Sequence, residues 1–199
     1  SGPAFATPIP VTVSSTLTSF TVVEQGTSPL HDGVDERYVG EFDLTTDSDW
    51  STFNDPLMSL TDATLTLKLT PKHPLVSTDA FWLGGHKDAT NEVSRDLAEL
   101  YLFKPYTPGP GFDVPPLDKE QTYTINLLNF YNPDTLLNVV KSGDKIGGIW
   151  LRYGDDAVLT EASLELTAIQ NPEPASLLLL GTGMLGLAAW RWRKKEKAE

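Results

Sequence analysis

Apolar and polar side chains alternate with a period of two along much of this chain. Ala63, Leu65, Leu67 and Leu69 interleave with Thr64, Thr66, Lys68 and Thr70, the pattern of a strand with one face in a core and the other toward solvent. The same alternation recurs at Tyr123, Ile125 and Leu127, and at Ala162, Leu164, Leu166 and Ala168. Shorter apolar stretches bounded by Gly, Pro and polar clusters predict further strands over 11–13, 17–23, 38–44, 80–83, 97–103 and 146–153. One segment before the C-terminal run changes period. Pro133-Asp134 opens it, Leu136, Leu137 and Val140 form an apolar stripe, and Gly143 closes it, which predicts a short helix. Five prolines and two glycines between Lys104 and Pro116 predict a rigid, extended surface loop. Many short strands, a single helix and no alternation of strand with helix predict an all-β domain, an antiparallel β-sandwich of jelly-roll type.

The pattern breaks at the C-terminus. From Ala175 to Trp190 the chain carries no charged side chain, and at 1.5 Å rise per residue this run is only just long enough to cross a hydrocarbon core of about 30 Å. The run is apolar all round, unlike an amphipathic core helix, and it ends in a basic cluster, Arg191, Arg193, Lys194 and Lys195, followed by Lys197. Trp190 and Trp192 suit the aromatic belt of the interface. The positive-inside rule then places the basic end in the cytoplasm and the preceding residues outside. Within the run, Gly181, Gly183 and Gly186 spell G-x-G-x-x-G, the phosphate-binding fingerprint of dinucleotide sites. That motif needs a preceding strand and a unit of about 30 residues, whereas 13 residues follow Gly186. The three glycines are expected instead to form a small-residue face for packing against another membrane helix.

Just before this run stand Asn171 and the tripeptide Pro172-Glu173-Pro174, followed by Ala175-Ser176. Tripeptide, Gly-containing leucine run and arginine-rich end together resemble a PEP-CTERM sorting signal. Asn171 departs from the apolar residue more usual at that position. The resemblance covers about the last 28 residues. It implies export in a diderm bacterium and processing by a membrane-embedded enzyme of the exosortase type, often in organisms that make extracellular polysaccharide. It implies nothing specific about the domain before it. Near the other end, Ala4-Phe5-Ala6 has the A-x-A form read by signal peptidase. Residues 1–6 are therefore expected to be a remnant of a signal-peptide cleavage region, the alternative being a chance match in a Pro-rich arm. The expected organisation is residues 1–6, an extracytoplasmic sandwich over 7–170, and a sorting signal over 171–199 with motif 172–174, membrane helix 175–190 and cytoplasmic tail 191–199.

Charge narrows the partners. Of 27 acidic and 15 basic side chains, two and five respectively follow Trp190, so 25 acidic stand against 10 basic before it, a net charge of −15. So acidic a domain lacks the basic footprint that nucleic acid demands, and divalent cations would have to bridge it to an acidic polysaccharide. There is no cysteine, hence no disulfide framework, thiol nucleophile or cysteine-ligated metal. His31, His73 and His86 share no ligand spacing and no catalytic motif frames a serine. All three histidines are expected at the surface, and no enzymatic activity or resident cofactor is expected.

Two groups remain. Asp43, Asp47 and Asp49, with Asp32, Asp35 and Glu36 upstream, fit either a polar turn between strands or a calcium site of oxygen ligands. Glycine is absent from loop position six (Thr52) and glutamate from position twelve (Met58), so this is no EF-hand. Asp155-Asp156 suits a hairpin turn. Trp150 shares its strand face with Gly148 and Arg152, while Ile149, Leu151 and Tyr153 take the other. Trp150 and Arg152 are thus candidate carbohydrate contacts on an outer face, unless a loop or the short helix covers them. The expected function is that of a non-enzymatic cell-envelope or extracellular-matrix protein. It would be anchored in the inner membrane with its domain in the periplasm, then moved to the cell surface or beyond, in association with exopolysaccharide or biofilm. The alternatives are a carbohydrate-binding module, assisted by calcium, and an extracellular polysaccharide hydrolase, whose paired carboxylates a sequence does not place.

Overall fold

The computed structural model describes residues 9–24, 36–71, 79–103, 109–113, 116, 118–154 and 157–170. Residues 1–6, Asp32, Asp35, His31, His73, Asp155, Asp156, most of the proline-rich loop and the whole of 171–199 lie outside them. So do the expected cleavage remnant, sorting motif, membrane helix and basic tail. Among the described residues no helix is long and apolar enough to cross a membrane.

Two antiparallel sheets close over one core. The first contains β1 (Pro10–Leu17), β9 (Ala157–Gln170), β4 (Met58–Pro71) and β7 (Gln121–Asn126), in that order. The second contains β2 (Thr21–Glu24), β3 (Glu36–Asp43), β8 (Gly148–Gly154), β5 (Ala80–Gly84) and β6 (Leu100–Tyr101), in that order. The expected alternating segments are β4, β7 and β9. Their inner faces, Leu65, Leu67 and Leu69 with Leu164 and Leu166, are completely buried and join Phe42, Phe81, Leu83, Ile149 and Tyr153 of the opposite sheet in a single cluster.

β4 and β9 run longer than their uninterrupted alternation, and a bulge in each explains why. The register shifts between Leu60 and Asp62 on β4, and between Lys68 and Leu69 opposite β9. Thr61 and Thr160 are the extra residues. Each resets the parity, so Leu60 and Ala63 both face inward, as do Leu159 and Ala162. Both extra residues are threonines that donate to a carbonyl across the ladder, Thr61 Oγ1 to Thr167 O at 3.2 Å and Thr160 Oγ1 to Lys68 O at 3.0 Å.

Some boundaries differ from expectation. The strand expected over 17–23 is divided between β1 and β2, and the one over 97–103 shrinks to the two residues of β6. The short helix is α2 (Pro133–Ser142), joined by a four-residue turn of helix, α1 (Trp50–Phe53), which the periodicity does not signal. Asn132 caps α2 by accepting from the Asp134 and Thr135 amides at 2.9 and 3.3 Å. Pro133 opens the first turn, where its missing N–H has no consequence, and Leu136, Leu137, Val139 and Val140 are buried.

Gly143 closes α2 for a steric reason, since its φ is −70° and unstrained. A Cβ there would lie 2.8 Å from Gly85 Cα, where the chain leaving β5 passes. The Asp144 amide donates to Gly85 O at 2.7 Å beside this contact. Gly143→Ala should therefore destabilise the fold by about 1–3 kcal/mol through forced backbone displacement, read as a lower denaturation midpoint. An unchanged midpoint would show that the crossing tolerates a methyl group.

Candidate functional site

The outer face of the second sheet gathers the side chains on which a binding site was expected. Val39, Arg152 and Trp82 lie side by side across β3, β8 and β5, and Glu41, Trp150 and Gly84 form the next row. This face is not open. The chain after β5 folds back over it as a strap (residues 85–99), and Lys87 and Val93 pair across the strap's own small hairpin. Asp88 shapes the turn by accepting from the Thr90 and Glu92 amides, both at 2.8 Å, and Asn91 takes φ +64°. Gly84 admits the strap, since a Cβ there would meet Ser94 Oγ at 2.6 Å and Val93 Cγ1 at 2.8 Å.

Beneath the strap Arg152 is only 2% exposed and Trp82 3%. The Arg152 guanidinium lies 4.6 Å from the Trp82 ring centroid. Both of its terminal nitrogens donate to the Glu92 carboxylate, Nη2 to Oε1 at 2.9 Å and Nη1 to Oε2. Arg95 lies 5.3 Å from the Trp82 ring and Lys87 Nζ 5.0 Å from that of Trp150. Such contacts contribute about 0.5–2 kcal/mol each, most where water is excluded. Of the readings open for Trp150 and Arg152, the structure shows the covered one. Arg152 is a buried ion held by the strap, and the half-buried Trp150 has a protein ammonium over its ring. Glu92 and Lys87 were not foreseen. The cue is a charge-rich segment following Gly84-Gly85 and opposite an arginine that shares its face with an indole.

The three aspartates do not converge on a common point. Asp43 Oδ1 accepts from the Thr45 amide at 3.1 Å, and its Oδ2 pairs with Lys145. Chiefly Lys145, and then Thr45, holds its carboxyl below the usual range. Asp47 accepts from the Asp49 and Ser14 amides, each at 3.0 Å, and these donors lower its pKa too. The bond to Ser14 occupies the outer edge of β1, an edge strand that would otherwise offer its amide to another chain. Asp49 precedes α1 without a side-chain cap. Among the described residues no three His, Cys, Asp or Glu side chains are grouped to hold a metal ion. The turn reading thus accounts for Asp43 and Asp47, while Asp32 and Asp35, the upstream part of the acidic group, lie outside the described residues.

His86 sits at the surface, as expected of it, but in a clasp. Its Nδ1 lies 2.8 Å from Asp144 Oδ1, while Asp144 Oδ2 accepts from the Lys87 amide at 2.7 Å. The clasp joins the strap's root to the loop after α2.

The comparisons with known proteins concern mainly the tail. Residues 172–194 match the family model of the PEP-CTERM protein-sorting motif, so the resemblance drawn from Pro172-Glu173-Pro174 and the apolar and basic run beyond it is shown. The chain carries this sorting motif, which implies an exported protein handled by an exosortase-type enzyme. No curated protein matches the chain. Among solved structures, a chain from the X-ray structure of tomato aspermy virus is similar at 14% identity, over 88% of this chain and 84% of that one, with a TM-score of 0.30.

Two outcomes test the strap. Glu92→Ala leaves the Arg152 guanidinium buried without its carboxylate. It should lower stability by about 2–4 kcal/mol, below the full cost of a wholly buried pair because Glu92 is partly exposed, and adding Arg152→Met should restore most of the loss. Equal instability of single and double variants in urea would refute the ion-pair account. The clasp predicts a pH dependence. Asp144 raises the His86 pKa above its ordinary 6.5, so the stability it contributes is full below 6.5 and disappears as pH rises through the raised folded-state value. Asp144, lowered from 3.8 chiefly by His86, contributes above 3.8 and loses its part as pH falls through its folded-state value. The thermal midpoint should thus decline as pH rises above the ordinary 6.5, and His86→Ala should flatten that decline.

Proposed function

We propose that this chain is an exported, non-enzymatic cell-envelope protein of a diderm bacterium. A jelly-roll domain is first tethered to the inner membrane by residues 175–190, with the basic tail 191–199 in the cytoplasm. It is then released to the cell surface or the extracellular matrix by an exosortase-type enzyme acting at Pro172-Glu173-Pro174. The match of residues 172–194 to the sorting motif carries this reading. The strand orders support the jelly-roll: apart from the added edge strand β2, successive strands alternate between the two sheets at every step but β5 to β6, which pair within one sheet. Association with exopolysaccharide or biofilm is the setting in which such signals are expected to act. The closed strap over Trp82 and Arg152 favours a displayed scaffold over an aromatic sugar platform.

In this reading the two prolines, whose ring fixes φ, would present the single Glu173 carboxylate to the enzyme. In cells that contain the processing enzyme, Glu173→Ala should leave membrane insertion intact while full-length, unprocessed protein accumulates. Mature protein of wild-type mass and location from that variant would contradict the sorting role.

A further inference from the structure

We propose that the rim of the first sheet from which the tail departs is a membrane-contacting surface, with Ile9 and Leu57 as its apolar contacts and the headgroup–acyl boundary of the bilayer as its partner. The proposal rests on the membrane reading of 175–190 and adds a role for the folded domain beside it.

β9 is an interior strand with β1 on one side and β4 on the other. At its end Ile169 pairs with Pro10 and Gln170 with Met58. The tail thus leaves the sheet between the first residues of two neighbouring strands. The residue immediately before each of those is a large apolar side chain exposed to solvent, Ile9 at 80% and Leu57 at 40%. With strands about 4.8 Å apart, the two lie roughly 10 Å from one another on either side of the exit. Leu57 is held there firmly. Asp55 Oδ1 accepts from its amide at 2.8 Å, and Lys141 Nζ donates to Asp55 O at 3.0 Å.

Tether length brings this rim to the bilayer. Four residues, 171–174, separate Gln170 from the start of the apolar run, so the rim lies within roughly 18 Å of it even at full extension. The headgroup layer fills about 5–8 Å of that distance. Two exposed apolar side chains would not hold a free protein on a membrane, but a tether this short makes the contact intramolecular, and a weak contact then suffices. The net acidity of the domain opposes anionic lipid, which makes a zwitterionic surface the better partner.

The chain has no cysteine, so Ile9→Cys, Leu57→Cys and Val158→Cys can each carry one environment-sensitive NBD probe on the full-length protein. Val158 is 36% exposed and lies about 40 Å from Gln170 along β9. In phosphatidylcholine vesicles containing a headgroup-proximal doxyl lipid, the probes at 9 and 57 should be blue-shifted and quenched several-fold more than the probe at 158. A long Gly/Ser insertion after Gln170 should abolish the difference while the protein still floats with the vesicles. Equal quenching at all three positions in protein that floats overturns the rim proposal and leaves the membrane reading standing. Failure to float overturns both. Burial of the probes at 9 and 57 only when the processing enzyme is co-reconstituted overturns the lipid assignment and gives the rim to that enzyme.

Discussion

Everything else in this domain is organised around the ladder between β4 and β9. Each strand is fourteen residues long, and their pairing from Met58–Gln170 to Pro71–Ala157 runs the length of the first sheet. This ladder lies between β1 and β7 and supplies the inner face against which the second sheet and α2 pack. Without a cysteine, no covalent link shares the task. Stability comes from apolar burial, at about 25 cal/mol per Å² of surface removed from water, and from the backbone hydrogen bonds that such burial obliges the strands to make. The same ladder decides where the sorting tail emerges, because β9 is its last strand.

Period-two reading is accurate where a strand is regular and fails where the backbone inserts a residue. Ala63 to Leu69 and Ala162 to Ala168 announced the centre of the ladder. The outer parts of the same strands were hidden by Thr61 and Thr160, each of which shifts the apolar parity by one. A bulge is a property of a pair of strands, so one strand's pattern does not reveal it. α2 was legible because its signals are local: Pro133 at the first turn, a stripe at 136, 137 and 140, and Gly143 at the end. The reason for Gly143 was not, since it lies in Gly85, distant in sequence and adjacent in space. α1 is too short to display a helical period.

The outer face shows the same division between local and long-range information. Parity on β8 correctly placed Trp150 and Arg152 together, away from Ile149 and Leu151. What covers them depends on a strap that returns from another strand, and on Glu92, sixty residues from Arg152. A guanidinium on an outer face is ordinarily solvated. Here the strap removes water and supplies a carboxylate, and the pair lies beside a second apolar cluster of Val39, Trp82 and Val93. The acidic turn was ambiguous for a related reason. Aspartates are favoured both as oxygen ligands and as caps for their own backbone, and composition does not separate the two. In the structure Asp43 and Asp47 turn their oxygens toward Thr45, Lys145, Ser14 and Asp49, which are the bonds of a turn.

Sorting and folding are encoded in separate stretches that meet at Gln170. The motif needs only an extended, accessible segment, and its prolines can neither donate to a ladder nor continue one. A ladder carried beyond Gln170 would meet Pro172 two residues on. Because Gln170 still pairs with Met58, only Asn171 separates the last described residue of β9 from the motif. In the proposed processing at Glu173, an enzyme would work against the rim of a folded sheet, or pull the end of β9 away from its neighbours. The second route would break the pairs Ile169–Pro10 and Gln170–Met58 at a strand end, where opening is easiest. Release by that route would couple the domain's stability at this rim to the efficiency of processing, even though the residues that carry the two do not overlap.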